Sequence, residues 1–489
     1  MITTAANTTF LFLCGILIAC GVRYARQGET GAAAWIEKAM RASSRSRLLC
    51  GTLIVAGAAG LGGRMVVGYI GPGDLFQDFV GAKEFAAGRS MNPTTKMRER
   101  VDYWLRQDPI ELPGVDRWPA LRRLQETSIN SGARQLAVQA HPPFHILLIA
   151  PIVKLCGTIE RTYLVMTAIN LASYAVALLL LWRSAPANFR SIVPGFFLCI
   201  LAADWQPFLA NVRQGQVGLV VALLVIGGWY SIVRERPFAG GILIGFAALI
   251  KMFPALLLCW LLLRNRRAFV AAAGTIFSAA VLLYWIIGWG GFVDYMHAAK
   301  TVEEIFGRVR INYSLTSVLS YMVAGPSGQT VWVSAAVLVA AAMLLGYSIM
   351  LMRRRPVPSS TEAALEFGSF VVLSCLLSPT CEAFYYPVLL LPIAALSHTI
   401  RPTAVLRSSM GLLMILCCFS FPDQVPVRFT GFLQPILGHR ISWLLGSFPT
   451  FAMLTLWYWM MHAQSEGILP SQDRCQPCGS LYRSPSLVL

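Results

Sequence analysis

Long apolar stretches, unbroken rather than alternating, recur from one end of this chain to the other. They cover residues 7–22, 48–69, 144–158, 161–182, 191–210, 217–233, 238–263, 268–290, 329–352, 367–397, 406–421 and 442–462. Each approaches the roughly 20 residues with which a helix crosses a bilayer. Their continuity points to helices, because barrel strands alternate and lipid requires every backbone group to be satisfied internally. The pattern predicts an all-α polytopic membrane protein with about 11–13 transmembrane helices. One region breaks the rhythm: residues 70–143 hold ten Lys or Arg and nine Asp or Glu. Within it, 79–89 reads as a short amphipathic helix with Phe79, Ala82, Phe85 and Ala86 on one side. A second lies at 121–138, with Leu121, Leu124, Leu136 and Val138 among basic residues. Such helices lie at a membrane surface and can form a shelf over the bilayer edge.

Two apolar runs read as interrupted. Residues 238–263 carry one charge, Lys251, with Pro254 three residues on, and both flanks are cationic at Arg234, Arg236, Arg264, Arg266 and Arg267. If both ends face the cytoplasm, the segment must go in and return, turning near Lys251-Met252-Phe253-Pro254. The second run, 366–397, is broken by Ser378-Pro379-Thr380-Cys381-Glu382. Breaks at membrane depth are tolerated only around a lined cavity, and ion and anion sites are often built from them. The expected organisation is an N-terminal helix and basic linker (1–47), a transmembrane domain (48–462) containing the polar region 70–143, and a tail (463–489). The first apolar segment has no basic n-region and is followed by a basic stretch, Arg23 to Arg47, so it reads as an uncleaved helix.

Composition agrees. With 56% hydrophobic and only 13% charged residues, and mean hydropathy +0.61, the chain lies outside the ordinary globular range. The net charge of +17 sits in short clusters beside apolar runs, a positive-inside pattern facing anionic lipid rather than nucleic acid. Most of the twelve cysteines lie in or beside apolar runs as small buried hydrophobes, and Cys475-Gln476-Pro477-Cys478 has no partner pair. No HExxH, GK[ST] phosphate loop or dinucleotide fingerprint occurs, so zinc proteolysis, ATP hydrolysis and NAD chemistry are unsupported.

The leading chemical candidates are Asp74 and Asp78, in Gly71-Pro72-Gly73-Asp74-Leu75-Phe76-Gln77-Asp78-Phe79. The glycines and proline predict a loop that enters a helix near Asp78, which can either cap that helix or act as a general base. A base could take the proton of an acceptor hydroxyl attacking a sugar on a phospholipid carrier. Phosphate leaves well enough that no second acid is needed. Lys251, a charge in an apolar segment, suits a leaving phosphate or an internal partner. Arg213 and Gln216, in Asn211-Val212-Arg213-Gln214-Gly215-Gln216, offer donors at a glycine-bearing turn or simply form that turn. His141, before Pro142 and Pro143, suits either phosphate or hydroxyl binding or plain helix initiation.

These stretches also carry a family likeness. The order Asp78-Phe79 with Ala82 and Gly88, His141-Pro142-Pro143-Phe144, Gly215-Gln216, Gly245 through Lys251-Met252-Phe253-Pro254, and Asn312-Tyr313-Ser314-Leu315 resembles the bacterial mannosyltransferases of the DUF2029 family, glycosyltransferase family 87. The resemblance implies a GT-C fold in the cell's inner (plasma) membrane, with an extracytoplasmic active site. It implies a polyprenyl-phosphate-mannose donor, inversion, and no obligatory nucleotide or metal cofactor. The family's acid falls on Asp78, with Asp74, His141, Arg213, Gln216, Lys251 and Tyr385 as substrate-binding candidates. At 378–386 the chain departs from the family's Trp and His pattern, offering Cys381 or Glu382 and the aromatic Phe384, Tyr385 and Tyr386 instead. The expected partners are the lipid-borne donor, an envelope glycolipid or glycan acceptor, and membrane lipids. The main alternative is a lipid or glycan transporter or flippase, which would also use broken helices and a buried lysine. A noncatalytic scaffold is the third.

Overall fold

The computed structural model describes residues 73–91, 141–184, 205–306, 311–324, 331–354, 360–397, 415, 418–419 and 424–465. The expected N-terminal helix and linker, the spans at 7–22 and 48–69, the amphipathic helix at 121–138 and the tail with its cysteine pair lie outside the described residues.

The described residues form helices and no strand. In chain order these are α1 (Gly73–Ala86), α2 (Pro143–Cys156), α3 (Ile159–Ser184), α4 (Gln206–Gln214), α5 (Gly218–Val233), α6 (Pro237–Ile250), α7 (Leu257–Arg264) and α8 (Arg266–Phe306). There follow α9 (Leu315–Ala324), α10 (Val331–Arg354), α11 (Ser360–Leu376), α12 (Leu390–Ser397), α13 (Gln424–Gly446) and α14 (Phe448–Ser465). Short 3-10 turns at Phe253–Leu256 and Ala383–Leu389 precede α7 and α12. Among the described residues three helices, α3, α8 and α10, contain segments long and apolar enough to cross a membrane, and shorter apolar helices pack among them. The result is an all-α bundle consistent with a polytopic membrane protein. Phe277, Trp285, Leu338 and Met343 lie exposed on α8 and α10, while Trp205, Trp260, Phe367 and Phe370 are buried. A helix that is apolar on every side suits lipid outside and packing inside.

Both interrupted runs double back. Helix α6 has 14 residues, about 21 Å at 1.5 Å per residue, too short to cross a hydrocarbon core of about 30 Å. Gly241 lies against Ala268 and Ala271, and Gly245 against Ala272 and Thr275, so α6 and α8 run parallel. The chain therefore reverses between them, and the cationic ends at Arg236 and Arg266 share one end of the bundle. The close approach depends on missing side chains: a Cβ on Gly241 would fall 2.1 Å from the Ala268 carbonyl oxygen. The second run behaves alike, since Gly368 of α11 faces Pro392 of α12 across the 378–382 turn. Just past the middle of α8, Gly288 adopts φ 67° and kinks a helix of 41 residues, longer than one crossing needs. Beyond the kink, Asp294 accepts a hydrogen bond from Ser90, which follows α1 (2.6 Å).

Candidate active site

The tips of the two doubled-back hairpins meet, and the α4–α5 joint, α1 and the start of α2 close around them. Helix α1 begins at Gly73 rather than near Asp78, so Asp74 and Asp78 sit one turn apart on one helix. The glycine-rich lead-in yields to an acid in the first turn, which complements the helix dipole. The expected helix at 79–89 is the second half of this same element. Phe79 and Ala82 are buried, but Ala86 is exposed at its end and so leaves the expected apolar face.

Asp78 is 1% exposed, and both its oxygens are held. Oδ1 lies 2.6 Å from His141 Nδ1 and Oδ2 3.0 Å from His145 Nε2. An ionised carboxylate has only lone pairs to offer, so both imidazoles donate. That leaves the other nitrogen of a neutral His141, Nε2, as a proton acceptor, and no described residue bonds to it. The local cause is the sequence His141-Pro142-Pro143-Phe144-His145. Pro142 at the N-cap has φ −57°, and Pro143 opens α2 where no amide donor is needed. This sets the two histidines one turn apart, with ring centroids at 4.6 Å and planes at 66°. Burial by itself raises the Asp78 pKa. The charge and hydrogen bonds of the two imidazoles outweigh it and hold the carboxyl well below the usual range.

Asp74 has a different neighbour. Its Oδ2 accepts from Gln216 Nε2 at 2.6 Å, and Gln216 Oε1 in turn accepts from Lys251 Nζ at 2.9 Å. Burial raises the Asp74 pKa, and the Gln216 bond pulls it part of the way back. Gln216 is fixed through its backbone: its amide donates to Asn211 O (2.9 Å), and Asn170 Nδ2 donates to its carbonyl (2.8 Å). Gly215 makes that geometry possible by capping α4 in the left-handed region, φ 66°.

Lys251 ends α6 in extended backbone, with its side chain 4% exposed. Nζ sits 4.4 Å from the ring centroids of both Phe384 and Tyr385. The Tyr385 hydroxyl is 3.2 Å from Thr380 Oγ1, and its ring packs 4.9 Å from Phe253. Asn312 clamps the second tip: Oδ1 accepts from the amides of Ser314 and Cys381, and Nδ2 donates to Pro379 O. Asn211 Nδ2 donates to Phe384 O at 3.0 Å, joining the α4–α5 joint to that tip.

Six of the seven candidate residues thus converge: Asp74, Asp78, His141, Gln216, Lys251 and Tyr385. Arg213 does not. It stands exposed on the last turn of α4, with no hydrogen bond to the cluster, because the buried face of that helix is taken by Phe208, Asn211 and Val212. Sequence reasoning missed His145, whose four-residue spacing from His141 was its only signal, and Asn211, whose role depends on a distant tip.

Residues 140–379 match glycosyltransferase family 87. Over that stretch the chain is similar to the family 87 glycosyltransferases. It is similar to the polyprenol-phosphate-mannose-dependent alpha-(1-2)-phosphatidylinositol mannoside mannosyltransferase of Mycobacterium tuberculosis, 26% identical over 247 residues. That match covers 47% of this chain and 56% of the relative, so it spans little more than half of the relative's length. No solved structure matches. His141, His145, Gln216 and Lys251 fall inside the family-matched stretch. Asp74 and Asp78 precede it, and Tyr385 lies just beyond.

Proposed function

We propose that this chain is an inverting glycosyltransferase that moves a hexose, mannose in our reading, from a polyprenyl-phosphate carrier to an envelope glycolipid or glycan. The relative's dependence on polyprenol-phosphate-mannose supports the donor class. A GT-C architecture of about 11–13 crossings in the inner membrane, with the site on the extracytoplasmic side, belongs to the same reading. One observation carries it: an Asp–His base group and a buried cation meet in one cluster, joined through Asp74 and Gln216.

Chemically, inversion needs a base on the acceptor side and positive charge on the leaving-group side. The acceptor hydroxyl approaches His141, whose Nε2 takes the proton as the oxygen attacks C1. Asp78 stays ionised, holds the ring by Nδ1–H and stabilises the imidazolium that forms. His145 positions Asp78 from the other oxygen. The bond from C1 to the phosphate oxygen breaks on the opposite face, and the departing polyprenyl phosphate keeps the electron pair beside Lys251. Asp78 is thus the acid on which the site is built, acting through His141 rather than receiving the proton itself. Gln216, Phe384 and Tyr385 hold the ammonium where the phosphate leaves.

The test is transfer by purified chain, incubated with polyprenyl-phosphate-mannose and an extract of envelope lipids, beside Asp78→Asn and Lys251→Met. Product from the parent and a loss of about 100-fold or more in Asp78→Asn is expected. Undiminished transfer by Asp78→Asn would remove the base assignment. A flippase has one observation in its favour, the two doubled-back hairpins meeting at their tips. Movement of donor across a bilayer with no sugar transferred would favour it.

A further inference from the structure

Asp78, His141 and His145 have a second capability. We propose that the triad is a binding site for one divalent transition-metal ion of the zinc type, and that loading it silences transfer. The three donor atoms, two imidazole nitrogens and a carboxylate oxygen, all lie within 4.8 Å of one another. All three residues are buried, at 1%, 6% and 1% exposure. Two donors bound to one tetrahedral zinc at about 2.0–2.1 Å stand about 3.3 Å apart, so loading opens the 2.6 and 3.0 Å contacts to Asp78 by a few tenths of an ångström as the ion replaces the two protons, and keeps the three donors grouped.

The donor set selects the metal. Magnesium and calcium take oxygen ligands and, for magnesium, retain several waters. Two imidazoles with one carboxylate favour zinc and its transition-metal neighbours, with the fourth position left open. The scaffold is also rigid in the required way. Pro142 and Pro143 fix the start of α2, which sets the histidines one turn apart with their rings inclined at 66°, and α1 delivers the carboxylate from the other side. The ion would sit where the two imidazole protons now lie, between each ring and Asp78.

Inhibition rests on the function proposed above; binding does not. An ion on His141 Nδ1 and Asp78 removes the hydrogen bond by which Asp78 holds the ring, and with it the charge that stabilises a protonated imidazole. Metal and acceptor proton then compete for one group.

The experiment uses tag-free full-length chain, stripped with chelator and titrated with zinc chloride by calorimetry, and separately with cobalt(II) followed by visible absorption. The comparison variant is His145→Gln, which can still donate to Asp78 Oδ2 but lacks the imidazole ligand. One ion per chain, with affinity falling by more than about 100-fold in the variant, is expected, since even outer-sphere changes cost 10–100-fold. Asp78→Asn gives a second measure if His145→Gln does not fold. Equal binding by parent and both variants, or no binding by the parent, overturns the site. Zinc should also inhibit transfer, with chelator restoring it; stimulation by zinc overturns the silencing. A chain that binds the ion but transfers no sugar leaves the site standing and removes the transferase reading instead.

Discussion

Replacing Gln216 with leucine removes the side chain bonded to both Asp74 and Lys251 while nearly preserving volume. The two hydrogen bonds, at 2.6 and 2.9 Å, each involve a group that carries charge when ionised. Such bonds contribute about 1.5–3 kcal/mol apiece, so removing both costs about 3–6 kcal/mol at the outset. Relaxation reduces this. The Gln216 bond lowers the Asp74 pKa against the effect of burial, so its loss raises that pKa further and lets the acid take a proton. A neutral Asp74 forfeits less than a buried, unpartnered carboxylate. Lys251 retains the two aromatic rings, worth up to about 2 kcal/mol when desolvated. The expected net loss is about 2–4 kcal/mol, read as a lower unfolding midpoint by denaturant titration in a fixed detergent. Binding of polyprenyl-phosphate-mannose should weaken in the same variant, because the two rings alone, without the Gln216 bond, leave the ammonium less firmly placed. Wild-type midpoint together with wild-type donor binding would refute the claim that this amide holds Lys251 in place.

Three further substitutions separate the roles. His141→Gln should lower transfer by about 100- to 10,000-fold with donor binding little changed, measured by product formation and donor binding in parallel. Tyr385→Phe removes the bond to Thr380 at 3.2 Å but keeps the ring under Lys251, so transfer should fall less than about tenfold in the same assay. Gly218→Ala places a Cβ 2.1 Å from Phe384 O and 2.4 Å from Asn211 Oδ1, forcing the joint away from the tip. That variant should lose both thermal stability and donor binding, and retention of both would refute the close approach.

The breaks at Lys251–Pro254 and at 378–382 were legible because a charge or a polar run inside apolar sequence is costly and stands out. The reversal of the first was legible too, from cations at both of its ends. The start of α1 was not. Gly71-Pro72-Gly73 reads locally as a loop, and only the packing of Leu75 and Phe79 into the core shows why the helix begins ahead of Asp74. His145 was hidden for the opposite reason: one histidine inside an apolar helix resembles a satisfied core residue until Asp78 is brought beside it. The separation of Arg213 from the cluster was not legible either: charge next to glycine suggests a site, whereas the helix face on which it stands is decided by its apolar neighbours.

A lysine can remain buried at the tip of α6 only if its partners arrive from elsewhere, and they do so from two separate stretches of chain. Gln216 is 35 residues away in sequence, and the rings of Phe384 and Tyr385 come from the second hairpin. No periodicity encodes such a meeting, since each partner is locally unremarkable. What the sequence does encode is the pair of breaks, and the backbone freed at the second is satisfied from elsewhere in the chain. Asn211 bonds Phe384 O, and Asn312 bonds Pro379 O and the Cys381 amide. The same asparagines that repair the second tip therefore position the aromatic rings under Lys251. Stability of the broken helices and placement of the cation follow from one set of hydrogen bonds, so a substitution in either asparagine should damage both.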